Sequence, residues 1–339
     1  MNKQLMVLIS LVVVSVAAGT WLLQKPSTDE FETQLLFQDL NAVAENIDTV
    51  KIENSAGSLL SAFKSEGEWL AKAGYSDESY PVDQSKLSDL VTTLLQTKII
   101  EAKTKVKRKH HRLGLQDISV EDSVARLVTI QAGSQSWQVL VGNSFDLGEG
   151  HYVRLVDQAQ TWRLDKTIDL PIEPFAWLTH PILPFTEQNI LAVSRVDGSS
   201  WSMFRDDSNQ SFSLTELPKD RELQYQGILD GFVSSLIGLD YEELVAPEST
   251  FVDSLEVVTR LEMTTKRFGV INVIVSQGKD IHYAHFESAE NNEYWQNWYY
   301  QISSYAAQQL NKSIDDFLSP TESNTVSKPL VVEEEASVE

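Results

Sequence analysis

The sequence contains no cysteine. That excludes disulfides, thiolate zinc sites, iron–sulfur ligation, a cysteine nucleophile and lipid attachment at an N-terminal cysteine. Histidine is scarce, at six in 339 residues, and the set has no zinc-ligand spacing. No G-x-S-x-G elbow, P-loop or G-x-G-x-x-G occurs. Positive charge is short as well. Lys and Arg total 27 against 49 Asp and Glu, a formal net charge of −22. Such a chain repels a polyanion, which argues against general nucleic-acid binding. Hydrophobic residues make up 42% and aromatics 9%, enough for a large core and too much for wholesale disorder. No catalytic, cofactor-binding or metal-ligating residue is assigned from these absences, and no cofactor is expected.

One hydrophobic run is long. Leu5 to Leu23 carries no charge, and its length at about 1.5 Å per residue reaches roughly the 30 Å of a hydrocarbon core. Lys3 precedes it, Lys25 follows, and Asp29, Glu30 and Glu32 come next. The positive-inside rule then puts the N terminus in the cytoplasm and the bulk outside. The competing reading is a cleaved signal peptide, with Val16 and Ala18 as the small residues before the cut. Either way the remainder is exported. The expectation is a single-pass protein of the bacterial inner membrane with its bulk in the periplasm.

The rest of the chain reads as α+β. Residues 1–25 are the anchor or signal and 26–45 a stalk. Residues 46–170 form a first lobe, with strands at Ile47–Asn54, Leu59–Lys64 and around Trp69. Pro81 stops a strand and Asp83 offers a helix N-cap. Leu87, Leu90, Val91, Leu94 and Leu95 follow at i, i+3, i+4, i+7 and i+8, one apolar helix face. Alternating runs at Ala125–Gln131, Trp137–Gly142, Tyr152–Val156 and Thr161–Leu164 predict an antiparallel meander. Four of the ten prolines crowd into a connector at 171–188. Residues 189–318 then repeat the order. Short strands precede a helix with Leu229, Phe232, Val233, Leu236 and Ile237, offset from the first face by 229 − 87 = 142. A second meander follows at Val257–Met263, Val270–Val275 and Ile281–Phe286. The expectation is two tandem related lobes, each an antiparallel sheet with one long amphipathic helix. An aromatic helix over 290–310 closes the second lobe, and 319–339 is an acidic tail expected to be disordered.

Candidate chemistry is thin. His282 and His285 form H-x-x-H, but the alternation around them predicts a strand, where positions three apart face opposite ways. Gly148-Glu149-Gly150 reads as a hairpin turn. Asp240, Glu242 and Glu243 read as a solvated acidic patch. The most unusual feature is KTKVKRKHHR at 103–112. It gathers Lys103, Lys105, Lys107, Arg108, Lys109 and Arg112 in an otherwise acidic chain. These six are the candidate docking patch, on a connection expected to be mobile and protruding.

The order of short motifs is more informative than any one of them. An apolar N-terminal segment precedes Glu68-Trp69-Leu70, then Tyr80-Pro81-Val82-Asp83 leading a helix, then Arg112-Leu113-Gly114-Leu115. Val141-Gly142 ends a strand, and Tyr152-Val153-Arg154 comes before a Pro/Trp connector. Over roughly residues 45–315 this resembles the DUF4340 family, uncharacterised bacterial membrane-anchored proteins. Such proteins are often encoded beside an ABC-type transport system with a gliding-motility-like auxiliary component. The resemblance implies a non-enzymatic envelope accessory or scaffold protein, with protein partners in that complex and the membrane held through the N-terminal helix. A periplasmic enzyme acting on glycan or peptide, or a lipid- or glycan-binding module, are the alternatives.

Overall fold

The computed structural model describes residues 31–72, 78–198, 200–206, 210–289 and 293–320. The apolar segment Leu5–Leu23 and the tail from 321 onward lie outside the described residues. Among the described residues no helix is long and apolar enough to cross a membrane.

The protein is mixed α+β with two antiparallel sheets, of ten and eight strands. The first sheet uses β1 (Gln34–Leu35), β2 (Thr49–Asn54), β3 (Gly57–Ser65), β4 (Glu68–Lys72) and β5 (Ser79–Pro81). Helix α1 (Gln84–Gln96) follows, then β6 (Lys98–Ala102), β7 (Arg126–Ala132), β8 (Gln135–Ser144), β9 (His151–Leu155) and β10 (Thr161–Leu164). The second sheet opens with β11 (Ile190–Arg195), β12 (Trp201–Arg205) and β13 (Phe212–Leu214). Helix α2 (Ile228–Ile237) leads to β14 (Glu243–Val245) and a short helix α3 (Ser249–Val252). The meander β15 (Glu256–Thr265), β16 (Gly269–Gly278), β17 (Ile281–Ser288) and β18 (Tyr299–Ile302) completes it, before α4 (Ser304–Leu310).

From one edge the first sheet runs β5-β4-β3-β2-β7-β8-β9-β10-β6-β1, and the second β13-β12-β11-β15-β16-β17-β18-β14. Without the edge strands β5 and β1, the two orders agree strand for strand. β4-β3-β2 answers β13-β12-β11, β7 to β10 answer β15 to β18, and β6 answers β14. In both halves the helix falls in the chain just before the strand that closes the far edge. The chain divides into two compact units, Met1–Trp69 with Gln84–Trp177 and Leu70–Asp83 with Leu178–Glu339.

In the first unit, register puts one side-chain set on each face of the sheet. Val50 pairs with Ile130, Ile52 with Val128, and Val128 with Val139. All of these are buried, as period-2 alternation requires. The opposite face carries Leu127, Leu140, Tyr152 and Arg154. Helix α1 is 13 residues long and buries Leu87, Leu90 and Leu94. Val91 and Leu95, expected on the same buried face, are half-exposed. Residues 34–45, expected in a stalk, are folded. β1 pairs with β6, and Leu36, Phe37 and Leu40 are buried beside a 3-10 helix, Leu40–Asn46. Three apolar side chains so close together are better buried than solvated, at roughly 1.5–3 kcal/mol each.

In the second unit α2, 10 residues long, buries all five residues of its expected face. Phe232 packs edge-on against Trp201 and Phe317, with ring centroids 5.2 and 5.5 Å apart. The aromatic run at 290–310 is a correction to the sequence reading. It is a 3-10 turn (Tyr294–Asn297), then strand β18, then the short α4. Trp298, Tyr300 and Ile302 are buried while Tyr299 and Gln301 are half-exposed, so the period is two. Positions four apart, such as Trp298 and Ile302, share a face under either period.

The Tyr80 of the Y-P-V-D motif belongs to this unit. Its ring lies edge-on to Tyr294, Tyr241, Trp298 and Tyr300, at centroid distances of 5.1, 5.9, 6.3 and 6.3 Å. Tyr241, Tyr294 and Tyr300 donate their hydroxyls to the carbonyls of Thr179, Ile182 and Trp295. The Tyr80 hydroxyl is buried and makes no hydrogen bond of acceptable geometry. Burial raises the pKa of Tyr80, Tyr241 and Tyr300, and pushes Tyr294 up to about 12 with Glu293 adding to it. In the Pro-rich connector Trp177, Leu178, Ile182 and Leu183 are buried, while Ile172, Pro181 and Pro184 are exposed.

Candidate functional site

The basic run departs from the mobile loop expected of it. After β6 the chain stays pinned to β10: Lys103 N–H donates to the Thr161 carbonyl at 2.9 Å, and Thr161 Oγ1 donates to the Thr104 carbonyl at 2.9 Å. Lys107–Leu113 then form a 3-10 helix. Three residues per turn put positions three apart in one stripe. The Lys107–His110–Leu113 stripe turns inward at His110, which is buried, and Leu113, which is half-buried, while Lys107 at its start is still exposed. Arg108 and His111, and Lys109 and Arg112, lie on the two outward stripes, and all four are exposed.

Gly114 ends the helix in the left-handed region at φ 66°, where glycine is unstrained. Leu115, Ala125 and Leu140 form a small buried cluster, with Leu113, Ile118, Leu127 and Tyr152 packed on it. The segment is thus seated on the second face of the first sheet. Gly142 permits the close approach: a Cβ there would lie 2.2 Å from the Leu113 carbonyl oxygen and 2.8 Å from that of Gly114. The buried Arg154 reaches up from β9 to pair with Asp117, and also donates to the Gln158 carbonyl at 3.3 Å. His110 Nε2 lies 3.0 Å from the Ala159 carbonyl. R-L-G-L, V-G and Y-V-R, far apart in sequence, meet in this one seat.

Of the six predicted patch residues, five stand together. Lys105, Lys107, Arg108, Lys109 and Arg112 are exposed and form no ion pair with any described residue. Lys103 is set apart. It is half-buried, 2.7 Å from Glu101 Oε1 and 5.8 Å from the Tyr152 ring centroid. Beside it the Arg163 guanidinium lies 3.6 Å from the Phe145 centroid. Asp117, Arg154 and Gly142 were not legible as partners of the patch, because only the fold brings β8 and β9 to it.

The other candidates are held to the backbone or to one another. His285 Nδ1–H donates to the Trp298 carbonyl at 2.9 Å, and its ring stacks on Tyr299 at 4.4 Å. His282 is on the other face of β17, 3.5 Å from Ser304 Oγ. His180 pairs with Asp240 and stacks on Tyr241 at 4.2 Å. Asp240, Tyr241 and Glu242 border an open depression of about 370 Å³ with Tyr305 on its rim. Glu242 accepts from Gln301 Nε2 at 3.0 Å. Among the described residues no three His, Asp or Glu side chains are grouped to hold a metal ion.

Buried histidines give the first unit a pH dependence. Burial lowers the pKa of His151, with Arg126 adding to it, and burial lowers that of His110 against the opposing Ala159 carbonyl. His151 Nδ1 accepts the Ile168 N–H at 3.0 Å, which only an unprotonated Nδ1 can do. The unfolded chain takes up the proton near pH 6.5, and the folded chain only at lower pH. The stabilisation is therefore full above that value and is lost as pH falls through the folded pKa. His151→Asn retains an acceptor near Nδ1 and does not titrate. Its melting temperature should fall less than that of the parent between pH 7 and pH 5, and parallel curves would exclude His151 as the source.

The fold and its seat define a two-sheet α+β protein whose first sheet carries a fixed basic platform. The chain belongs to the DUF4340 family, a domain of unknown function, which it matches over residues 74–255, more than half its length. The match is narrower than the span of 45–315 expected from motif order, and it contains Y-P-V-D, R-L-G-L, V-G and Y-V-R. No curated protein and no solved structure matches the chain.

Proposed function

We propose that this protein is a non-enzymatic envelope accessory protein that works by presenting surfaces. In this reading Leu5–Leu23 tethers it to the bacterial inner membrane with its bulk in the periplasm, and its partners are components of an ABC-type transport complex. The observation that carries the reading is the basic platform. R-L-G-L, V-G and Y-V-R are spent on seating it, and what they hold up is a cluster of exposed cations. A surface fixed in this way is suited to recognition, because little conformational freedom is left to lose on binding. The histidines support the same reading, since His110, His151 and His285 are committed to backbone groups.

The two sheets are read as copies of one duplicated lobe. The matching strand order supports this, as does the behaviour of the strand-to-meander connection. In the first lobe Leu115 packs on β8 and β9. In the second, Phe251 of α3 packs edge-on against Tyr283 of β17 and Tyr299 of β18, one strand further along the sheet, at 5.1 and 5.5 Å. The basic platform is then an elaboration of one copy, which is where a specialised surface is expected.

Carbonate-washed membranes test the proposal. The chain should remain in them, and after solubilisation it should co-purify with the membrane subunits of an ABC-type transporter. Replacing Lys105, Lys107, Arg108 and Lys109 together by Gln should leave folding nearly unchanged, because exposed charges contribute about 1 kcal/mol or less. It should deplete the co-purifying subunits severalfold. Recovery of the chain in the carbonate supernatant, or undiminished partners with the variant, would count against the proposal.

A further inference from the structure

We propose that the 3-10 helix Lys107–Leu113 is a recognition strip for an acidic polypeptide segment of a protein partner. The inference rests on the docking reading above and names the chemistry of what docks. The chain holds 49 carboxylate side chains, yet five neighbouring cations have none of the described ones as a partner. The strip is also preorganised. Its inward stripe is fixed by His110 and Leu113, its end by Gly114, and its seat by Leu115 and Gly142.

Width decides between a protein and a membrane. Glu121 and Asp122 follow the strip in sequence and are exposed, as is Asp117, whose carboxylate is paired with Arg154. At the strip's end, Gly114 abuts Asn143, whose side-chain oxygen would be 2.4 Å from a Cβ at 114. Asn143 is the root of the β8–β9 turn, which carries Asp146 and Glu149, also exposed. A flat anionic bilayer needs a surface wider than the strip, and the segments bordering the strip carry these carboxylates. A single extended acidic segment would lie along the cations alone. Seven residues of 3-10 helix are about 14 Å long, which is roughly four residues of extended chain at about 3.3 Å each. Arg108 and Arg112 supply planar forks for paired carboxylate oxygens, and the lysines supply point charges between them.

Fluorescence anisotropy with the full chain in zwitterionic nanodiscs is the test. The probe is a labelled octapeptide alternating Glu and Ser, with its Gln-for-Glu counterpart as control. The Glu peptide should bind, the Gln peptide should not, and binding should weaken as salt is raised. K105Q/K107Q/R108Q/K109Q should weaken it about tenfold or more. K51Q/K98Q/K219Q/K266Q removes as much charge elsewhere and should leave it within about twofold of the parent. Equal losses in the two variants would reduce the effect to net charge and overturn the proposal. So would absence of peptide binding together with patch-dependent binding to phosphatidylglycerol vesicles, which would assign the strip to a membrane surface. If the peptide fails to bind while the patch variant still loses its transporter subunits, the docking reading stands and this inference alone falls.

Discussion

Gly142→Ala should destabilise the first unit by about 3 kcal/mol, at the upper end of what overpacking costs, and expose the basic run to trypsin. The added methyl would stand 2.2 Å from the Leu113 carbonyl oxygen, 2.8 Å from the Gly114 carbonyl oxygen and 2.9 Å from Leu115 Cδ2. Two of these are backbone atoms and cannot rotate away. Relief comes only if the platform lifts off β8, which also uncovers Leu115 and Leu140. A loss of that size lowers the melting temperature by roughly 6–12 °C in a domain of this size. Lifting also frees the bonds between Lys105 and Arg112 for cleavage, because exposed chain is cut through local opening. Gly231→Ala is the matched control. Nothing lies within 4 Å of a Cβ there, and the site is inside α2, so a gain of up to about 1 kcal/mol is expected. If Gly142→Ala melts with the parent and is cut no faster, the contact between platform and strand is not made.

What was legible in the sequence is what short-range pattern encodes. β7, β8 and β16 are buried at consecutive positions because both faces are covered, and they show as short apolar runs, while β15 alternates cleanly because one of its faces is buried. The faces of α1 and α2 repeat at helical spacing for the same reason. The order of elements was therefore readable twice over, and the strand orders of the two sheets agree with it. The residues 294–302 were misread because aromatic side chains at spacings of three and four satisfy a helix, while alternation over Trp298, Tyr300 and Ile302 satisfies a strand. Tertiary packing decides such cases, since β18 is paired on both sides, with β14 and β17. The platform was half legible. Its cations stood out by composition, but its rigidity depends on Gly142 and Arg154, which no local pattern ties to Gly114 and Asp117. In the stalk segment the spacing of Leu35, Leu36 and Leu40 fits a short helix, but only tertiary packing shows that Leu36, Phe37 and Leu40 are buried and that the helix is the 3-10 turn Leu40–Asn46.

Tyr80→Ala should be as damaging to the second unit as Gly142→Ala is to the first. The Tyr80 side chain is fully buried at 0% exposure, and four aromatic rings rest their edges or faces on it. Truncation leaves a cavity bordered by four rings, three of them fixed through their hydroxyls, so the site cannot collapse easily. Aromatic-to-alanine changes in such places cost about 3–5 kcal/mol. Tyr80→Phe separates the ring from its hydroxyl. That hydroxyl has no hydrogen-bond partner of acceptable geometry, and removing a buried unpaired polar group is neutral or favourable, within about 1 kcal/mol. Tyr300→Phe differs, because it removes a donor to the Trp295 carbonyl at 3.2 Å and leaves that acceptor unpaired, at about 1–3 kcal/mol. Hydrogen exchange at the Ala284 and Tyr300 amides in β17 and β18 reads the effect where it arises, alongside denaturant unfolding. The expected order of stability is Tyr80→Phe at or above the parent, then Tyr300→Phe, then Tyr80→Ala. If Tyr80→Phe falls as far as Tyr80→Ala, the hydroxyl is held by a buried water or a tyrosine neighbour, and the shape of the ring is not what Y-P-V-D contributes to this core.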